Sequence, residues 1–582
     1  MMITLVLSSN MKKMLKDNVL VRKLDGIETS GSLNILFTDK TGTITKGQLE
    51  VTNIITGDNK NYHNIKDLKN KKLASLLNIS IIFNNSASLS NGNIIGGNTT
   101  DRALLSIVDN NNYKINKTEI IPFDSINKFS SVKISGDENL TLIKGSFEKI
   151  LPHCNKYYNE NKEEKTLVNK INLNNTIMML SKDAIRIIVI ATSKKTINND
   201  QDIKDLTLVS IIGIKDEVRK EAKESIKQVK NAGIQVIMIT GDSKDTAYAI
   251  AREIDLLDTF NDNAILTSDD LNLLSDDEIK TKLSSIRVIS RALPQDKSRL
   301  VRIAQELNLV VGMTGDGVND APALKKADVG FGMGNGTEVA KEASDIVILD
   351  NNFLSIAKAI LYGRTIFKSI RKFIIFQLTV NICAVGLSII GPFIGINTPV
   401  TVIQMLWINM VMDTFAALAF AREAPIKDYM KEPPKKRDEK VINKYMFNEI
   451  FITGIYSLFL CILFLKLPIF KEIFRTDINK IYFMTAFFAL FIFIGIFNAF
   501  NARTHRLNLF AHILKNKTFI FIMAFISIVQ IILIYHGGSM FRTSGLTLGE
   551  FELVILVALS VIPFDWIRKC YLRIIKKEVG GV

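Results

Sequence analysis

From residue 373 to the C-terminus the chain breaks into six apolar segments, 373–396, 400–421, 447–465, 481–500, 518–536 and 551–569. Each is close to the roughly 20 residues that carry a helix across the hydrocarbon core of a bilayer. Inside lipid every backbone donor and acceptor must be paired within its own segment, so this third of the chain is expected to be a bundle of about six transmembrane helices. Upstream, over residues 11 to 370, short apolar runs alternate with charged amphipathic stretches, the pattern of an α/β headpiece. A chain of 582 residues has room for both, each with a core of its own.

The loops set the orientation. Residues 422–446, "REAPIKDYMKEPPKKRDEKVINKYM", are rich in Lys and Arg, as are "NARTHRLNLFAHILKNK" and the tail "RKCYLRIIKKE", whereas "GPFIGINTP" carries no charge. By the positive-inside rule the basic loops, the headpiece and the C-terminus face the cytoplasm. One loop, "KLPIFKEIFRTDINK", is more basic than an outside loop should be and is outvoted. The net charge of +15 comes from dispersed lysines with no interleaved stacking aromatics, which argues against nucleic acid as a partner. The four cysteines, Cys154, Cys383, Cys461 and Cys570, have no metal-type spacing and imply a reducing compartment without disulfides.

Three apolar strands end at short polar motifs: "NILFT" at Asp39, "IQVIMIT" at Gly241-Asp242, and "LVVGMT" at Gly315-Asp316-Gly317. In an open parallel sheet, ligands collect at the carboxyl ends of the strands, so these segments can converge on one site. Asp39 and Asp316, with Thr41, suit Mg²⁺, a hard cation that takes carboxylate oxygens and bridges to phosphate. A carboxylate attacking a phosphoryl group needs that metal and a lysine to offset anionic repulsion, plus hydroxyl donors for the equatorial oxygens. Lys297 in "RALPQDKSRLV" supplies the cation and Thr41 and Thr240 the hydroxyls, which makes Asp39 the nucleophile. Lys40, Gly241, Asp242, Asn319 and Asp320 complete the catalytic set expected at these strand ends.

The motifs DKTGT, TGD and TGDGVND followed by APALKKADVG stand in the order and form found in P-type ATPases, and the chain resembles that family of cation pumps. The resemblance implies a haloacid-dehalogenase-like phosphorylation domain, an inserted α+β nucleotide-binding domain, ATP and Mg²⁺ as cofactors, and an aspartyl phosphate at Asp39. "PFDSINKF" resembles the family's adenine-contacting segment, with Phe123 to stack on the base and Lys128 nearby. "KGSFE" offers Lys144, "IRIIVIA" offers Arg186, and "GNTTDRALL" offers Asp101 where the family usually has glutamate. "KDEVRKE" resembles the hinge that returns to the phosphorylation domain, with Asp216 and Arg219 matching and the family's prolines absent. Arg219 and Arg291 are carried as further cofactor-binding candidates.

Polar groups inside a membrane helix are costly and so mark function. Asn381 lies mid-segment in "FQLTVNICAVG", and Asn409 and Asp413 in "QMLWINMVMDTFAALAFARE" are four apart, hence on one face of an α-helix. All three offer oxygen, which suits Ca²⁺ and disfavours copper or zinc. These helices resemble plasma-membrane-type calcium pumps. Where two-ion pumps carry a glutamate three residues after the asparagine this chain has Ala384, so one Ca²⁺ per cycle is implied. Asn498 and Asn501 echo the family without an assigned role.

The expected division is 1–10, the end of a truncated transmembrane helix; 11–45 and 206–370, the two parts of the phosphorylation domain; 46–205, the nucleotide-binding domain; and 371–582, the transmembrane domain. The family's TGES-bearing actuator domain and its Pro-Glu-Gly-Leu-Pro helix are not found in the sequence. Ca²⁺ takes about six to eight oxygens, more than Asn381, Asn409 and Asp413 supply. The expectation is therefore the C-terminal portion of a Ca²⁺ exporter in a cell membrane, incomplete as given, with a separate N-terminal half as a candidate partner beside the lipid bilayer. Two alternatives are a membrane-anchored phosphatase of the dehalogenase-like group and an inactive subunit of a split pump. Such phosphatases typically carry a second aspartate two residues after the nucleophile; here that position is Thr41.

Overall fold

The computed structural model describes residues 2–68, 71–90, 93–109, 113–124, 127–168, 170–197, 202–257, 262–395, 399–475 and 480–575. Two large sheets, a two-stranded sheet of Ala87–Ser90 and Asn93–Gly96, and a helical bundle make up the described residues. The first sheet has eight strands in the order Val19–Val21, Ile346–Ile348, Val329–Met333, Val311–Gly315, Ile35–Asp39, Gln235–Ile239, Val288–Ser290 and Ile265–Thr267. Every pairing is parallel except that of the edge strand Val19–Val21. Strands of a sheet covered on both faces read as unbroken apolar runs, and Ile35, Leu36 and Phe37 are fully buried. Ile35–Asp39 lies between Gln235–Ile239 on one side and Val311–Gly315 on the other. The chain order reverses at this strand, which opens a crevice at its carboxyl end.

The second, nine-stranded sheet is almost wholly antiparallel and lies in the segment between Ile35–Asp39 and Gln235–Ile239 of the first sheet. The chain leaves along Thr45–Ile55 and returns along Leu206–Val218, and these two strands pair with each other from Ile55↔Ile211 to Thr45↔Val218. Cores of Ile, Leu and Val lie on both faces of this sheet.

Among the described residues, five helices are long and apolar enough to cross a membrane: Phe353–Phe393, Val402–Ala421, Lys444–Lys466, Ile481–Arg503 and Lys517–His536. The chain is a multi-pass membrane protein. Phe353–Phe393 begins about 20 residues before its apolar segment, and its first half packs on the helices Leu24–Ser30 and Ala222–Asn231 of the headpiece. The sixth expected span corrects to two helices, Leu548–Leu559 and Val561–Ile574, which meet at Ser560. Pro563 has no amide to give to the carbonyl of Leu559, so the helix cannot run through. The break is tied down by Tyr456, whose hydroxyl donates to Ser560 Oγ at 2.9 Å.

The headpiece meets the long helix through two glycines. A methyl group on Gly363 would lie 2.4 Å from the amide nitrogen of Gly31 and 2.4 Å from the carbonyl oxygen of Ile27. Neither neighbour is the end of a flexible side chain, so backbone must move. Gly363→Ala is expected to destabilise the chain by about 3 kcal/mol, the upper range for overpacking. Gly549→Ala, with nothing near it, is expected to leave stability within about 0.5 kcal/mol. Thermal unfolding of both variants in detergent checks the contrast.

Candidate active site

The Asp39 carboxyl group sits at the carboxyl end of the central strand. Its amide donates to Thr314 Oγ1 at 2.8 Å, and Thr314 in turn donates to Thr38 Oγ1 at 3.4 Å, so the neighbouring strand fixes where Asp39 emerges. Beyond Asp39 the chain turns over Lys40–Ile44, with Gly42 at φ +73°, a left-handed conformation that glycine adopts without strain.

Two further carboxylates converge from the segment after Val311–Gly315. Asp316, Asp39 and Asp320 each place an oxygen within 4.8 Å of the others. Asp320 is fixed by accepting the amides of Asp316 at 3.2 Å and Gly317 at 3.1 Å. This approach requires Gly315, where an added methyl group would meet Asp320 Cβ at 2.5 Å. The cation is Lys297, in the first turn of Pro294–Glu306: Nζ lies 2.7 Å from Asp320 Oδ1 and 3.3 Å from Asp39 Oδ1.

Burial pushes the Asp39 carboxyl up to about 6; Lys297 pulls it down, and Asp320 and Asp316 push it further up. Asp316 is also raised, by burial and then by Asp320. For Lys297 burial alone would lower the ammonium, but attraction to Asp39 and Asp320 outweighs it and leaves the group above its usual range. A dense set of carboxylate oxygens with a surplus of negative charge fits a small hard dication such as Mg²⁺. Asp320, read from sequence only as catalytic, thus stands in the same carboxylate cluster as Asp39 and Asp316. Thr314 was missed, although its place one residue before Gly315 in "GMTGDG" was a usable signal.

The remaining residues of the set hold loops or stay open. Lys40 turns away from Asp39, with Nζ 2.9 Å from Asp242 and 3.6 Å from Asp216. Asp216 also accepts from Thr45 Oγ1 at 2.7 Å and from the Gly47 amide at 2.9 Å. Arg219 donates to the carbonyls of Thr45 at 3.2 Å and Gly42 at 3.3 Å, so it braces the loop after Asp39. Thr240 is buried and its Oγ1 accepts the Asp242 amide at 3.1 Å. The amide of Arg291, at φ +51°, donates to the Asp242 carbonyl at 2.9 Å. Thr41, Gly241 and Asn319 are exposed.

The nucleotide-side candidates belong to the other sheet. Lys144 is buried in an ion pair with Asp101 and also donates to the Asn84 carbonyl at 2.9 Å. Burial lowers the ammonium of Lys144, partly offset by Asp101, whose own carboxyl Lys144 holds below the usual range against the opposing effect of burial. Arg186 donates to Thr100 Oγ1 at 3.2 Å, one residue from Asp101. Phe123 exposes 55% of its surface, and Lys128 is exposed at φ +58°. The Lys128 carbonyl accepts the Ser146 amide at 3.0 Å, so Lys128 and Lys144 share one end of a strand pair. Ser125 and Ile126 of "PFDSINKF" lie outside the described residues.

In the membrane region Asp413 is buried; one carboxylate oxygen is 3.4 Å from Gln377 Nε2 and the other has no hydrogen-bond partner. Asn381 is half-buried and Asn409 is exposed. Residues Trp407–Met412 form an i→i+5 turn, which still brings residues four apart to nearly the same side of the helix, yet Asn409 is exposed where Asp413 is buried. Gln377 joins this group unforeseen.

Three family models match the chain: P-type ATPase cytoplasmic domain N over residues 72–221, haloacid dehalogenase-like hydrolase over 298–360, and the C-terminus of cation-transporting ATPases over 397–571. Among curated proteins, the chain is similar to calcium-transporting ATPase 12, plasma membrane-type, of Arabidopsis thaliana, with 34% identity over 91% of this chain and 53% of the relative. It is 35% identical to plasma membrane calcium-transporting ATPase 4 of Bos taurus, over 94% of this chain and 50% of the relative. It is 33% identical to calcium-transporting ATPase 7, plasma membrane-type, of Oryza sativa, over 98% and 57%. The chain thus spans little more than half the length of the relatives it matches. The inserted domain and the membrane helices lie where these models match, the relatives extend over nine-tenths or more of the chain, and the chain belongs to the P-type ATPase family.

Proposed function

We propose that the chain is the catalytic and C-terminal membrane portion of an ATP-driven Ca²⁺ transporter of a cell membrane, phosphorylated at Asp39 in each cycle. The observation that carries this reading is the set Asp39, Asp316, Asp320 and Lys297, gathered at the reversal point of the parallel sheet. The Asp39 carboxylate attacks the γ-phosphorus of ATP, a new O–P bond forms, and the bond to the bridging oxygen breaks to release ADP. Lys297, already against Asp39, offsets the charge that builds on the transferring group. Thr41, Thr240 and Asn319 supply donors to the equatorial oxygens, while Lys40 and Asp242 hold the two flanking loops together. Asp39, Asp316 and Thr41, with Asp320, would hold Mg²⁺, which when bound screens the carboxylates from the phosphates. Phe123 and Lys128 take the base, and Arg186, with Lys144 paired to Asp101, lines the nucleotide. Arg219 and Arg291 act by bracing the Asp39 and Asp242 loops rather than by touching nucleotide. Asp413, Asn381, Asn409 and Gln377 supply oxygens for one Ca²⁺, a set completed by ligands that a longer chain or a separate N-terminal half provides.

Membranes containing the chain, given γ-labelled ATP and Mg²⁺, are expected to acquire an acid-stable, hydroxylamine-sensitive label. Asp39→Asn should abolish it, and Lys297→Met should slow it by about 10²–10³, the usual effect of removing one charge-stabilising donor. Label that survives in Asp39→Asn would refute the assignment of the nucleophile, and label that stays indifferent to Ca²⁺ when the missing ligands are supplied by a co-expressed N-terminal half would refute ion coupling.

A second outcome follows from the titration of Asp39. Its carboxyl group is raised from 3.8 to about 6 in the folded chain. The folded state therefore binds more protons than the unfolded one between these values, and stability falls as pH rises through this window. Above about pH 6 the full penalty applies, roughly 3 kcal/mol for a shift of this size. In Mg²⁺-free buffer Asp39→Asn is expected to unfold at a higher temperature than the parent chain at pH 7, with the difference gone near pH 4. Calorimetry at the two pH values, with and without Mg²⁺, checks it.

A further inference from the structure

Two cysteines that stand 78 residues apart meet inside the membrane bundle. Cys383 on Phe353–Phe393 and Cys461 on Lys444–Lys466 bring their sulfurs to 3.8 Å, and both are buried. The two helices pack closely here at small residues: a methyl group on Gly386 would meet Leu458 Cδ2 at 2.4 Å, and one on Gly454 would meet Ile382 Cγ2 at 3.0 Å. Beside the sulfur pair lies a small cavity lined by Cys383, Thr379, Ser457 and Asn498, among others. Asn498 is only 2% exposed and its Nδ2 has no hydrogen-bond partner. The hydroxyls of Thr379 and Ser457 donate to the carbonyls of Ile375 at 2.7 Å and Thr453 at 2.8 Å, so each keeps free lone pairs.

We propose that Cys383 and Cys461 form a binding site for a thiophilic divalent cation of the zinc and cadmium type, completed by neutral oxygens of the adjoining cavity. The spacing selects the geometry. Two sulfurs on a tetrahedral ion with bonds of about 2.3 Å stand about 3.8 Å apart, whereas a linear two-coordinate ion would hold them roughly 4.6 Å apart. A disulfide needs about 2.05 Å, far closer than the 3.8 Å at which the packed helices hold these sulfurs. Charge selects the ion class. A dication with two thiolates is neutral and so escapes most of the penalty for a bare charge at this depth. A hard cation would find only neutral oxygens in this lining, and sulfur suits it poorly. The Asn498 amide supplies a donor of the kind that supports a buried thiolate. On binding, the two S–H bonds break, two M–S bonds form, two protons pass to solvent and no electrons are exchanged, so affinity rises with pH.

The site stands independently of the proposed transport activity. The test uses the full chain in detergent with a non-thiol reductant and with Cys154 and Cys570 replaced by serine. Titration with Cd²⁺ is expected to give a thiolate-to-metal absorption band that saturates at one equivalent, with two protons released. Cys383→Ser or Cys461→Ser should weaken binding by more than about 100-fold, beyond the loss typical of an outer-shell partner. Cys383→Val, close in size to the cysteine it replaces, serves where a serine variant does not fold, and metal-free thermal unfolding verifies each variant. A band that persists undiminished in either single variant, or that is missing from the two-cysteine chain, overturns the proposal. So does binding without proton release.

Discussion

Like charges crowded at the end of one β-strand are the constraint around which the headpiece is built. Asp39, Asp316 and Asp320 repel one another, and only a rigid frame can hold their oxygens within 4.8 Å. The parallel sheet supplies the frame, because its three central strands are buried on both faces and deliver their ends to one crevice. Lys297 and the amides of Asp316 and Gly317 then supply the local positive charge that makes the crowding tolerable. A group in this state binds a proton or a dication readily, which is the property that phosphoryl transfer to a carboxylate uses.

The loops around the crevice are held by a second layer of contacts. Asp216 and Arg219 come from the strand that returns from the inserted domain, and both grip the turn that follows Asp39. A displacement of that strand is therefore felt at Asp39 without passing through the sheet. On the opposite side, Gly31 and Gly363 let the headpiece touch the backbone of the longest helix, whose 41 residues run on into the membrane region.

Much of this was legible in the residues. An apolar run that ends in a chemically loaded motif reads as a buried parallel strand, and three such runs located the crevice correctly. What stayed hidden depended on partners distant in sequence or on small departures from regular geometry. Lys144 and Asp101 were read as separate candidates, yet across 43 residues they form one buried ion pair. Hydropathy measured the apolar content of 551–569 but did not weigh the amide that Pro563 lacks. Asn409 and Asp413 were read with α-helical spacing, and nothing in composition signals the wider turn between them. The contact of Cys383 with Cys461 likewise arises from the packing of two helices, which spacing along the chain does not report.

The two strands that carry the inserted domain, Thr45–Ile55 and Leu206–Val218, are laddered together almost to the edge of the crevice. At the crevice end of this ladder Val218 still pairs with Thr45, and Glu217 meets Lys46 at 2.8 Å. A two-stranded ribbon flexes easily out of its own plane and resists bending within it. The crevice end of the inserted domain is thus joined to the parallel sheet by a hinge whose softest direction is fixed by the plane of these two strands.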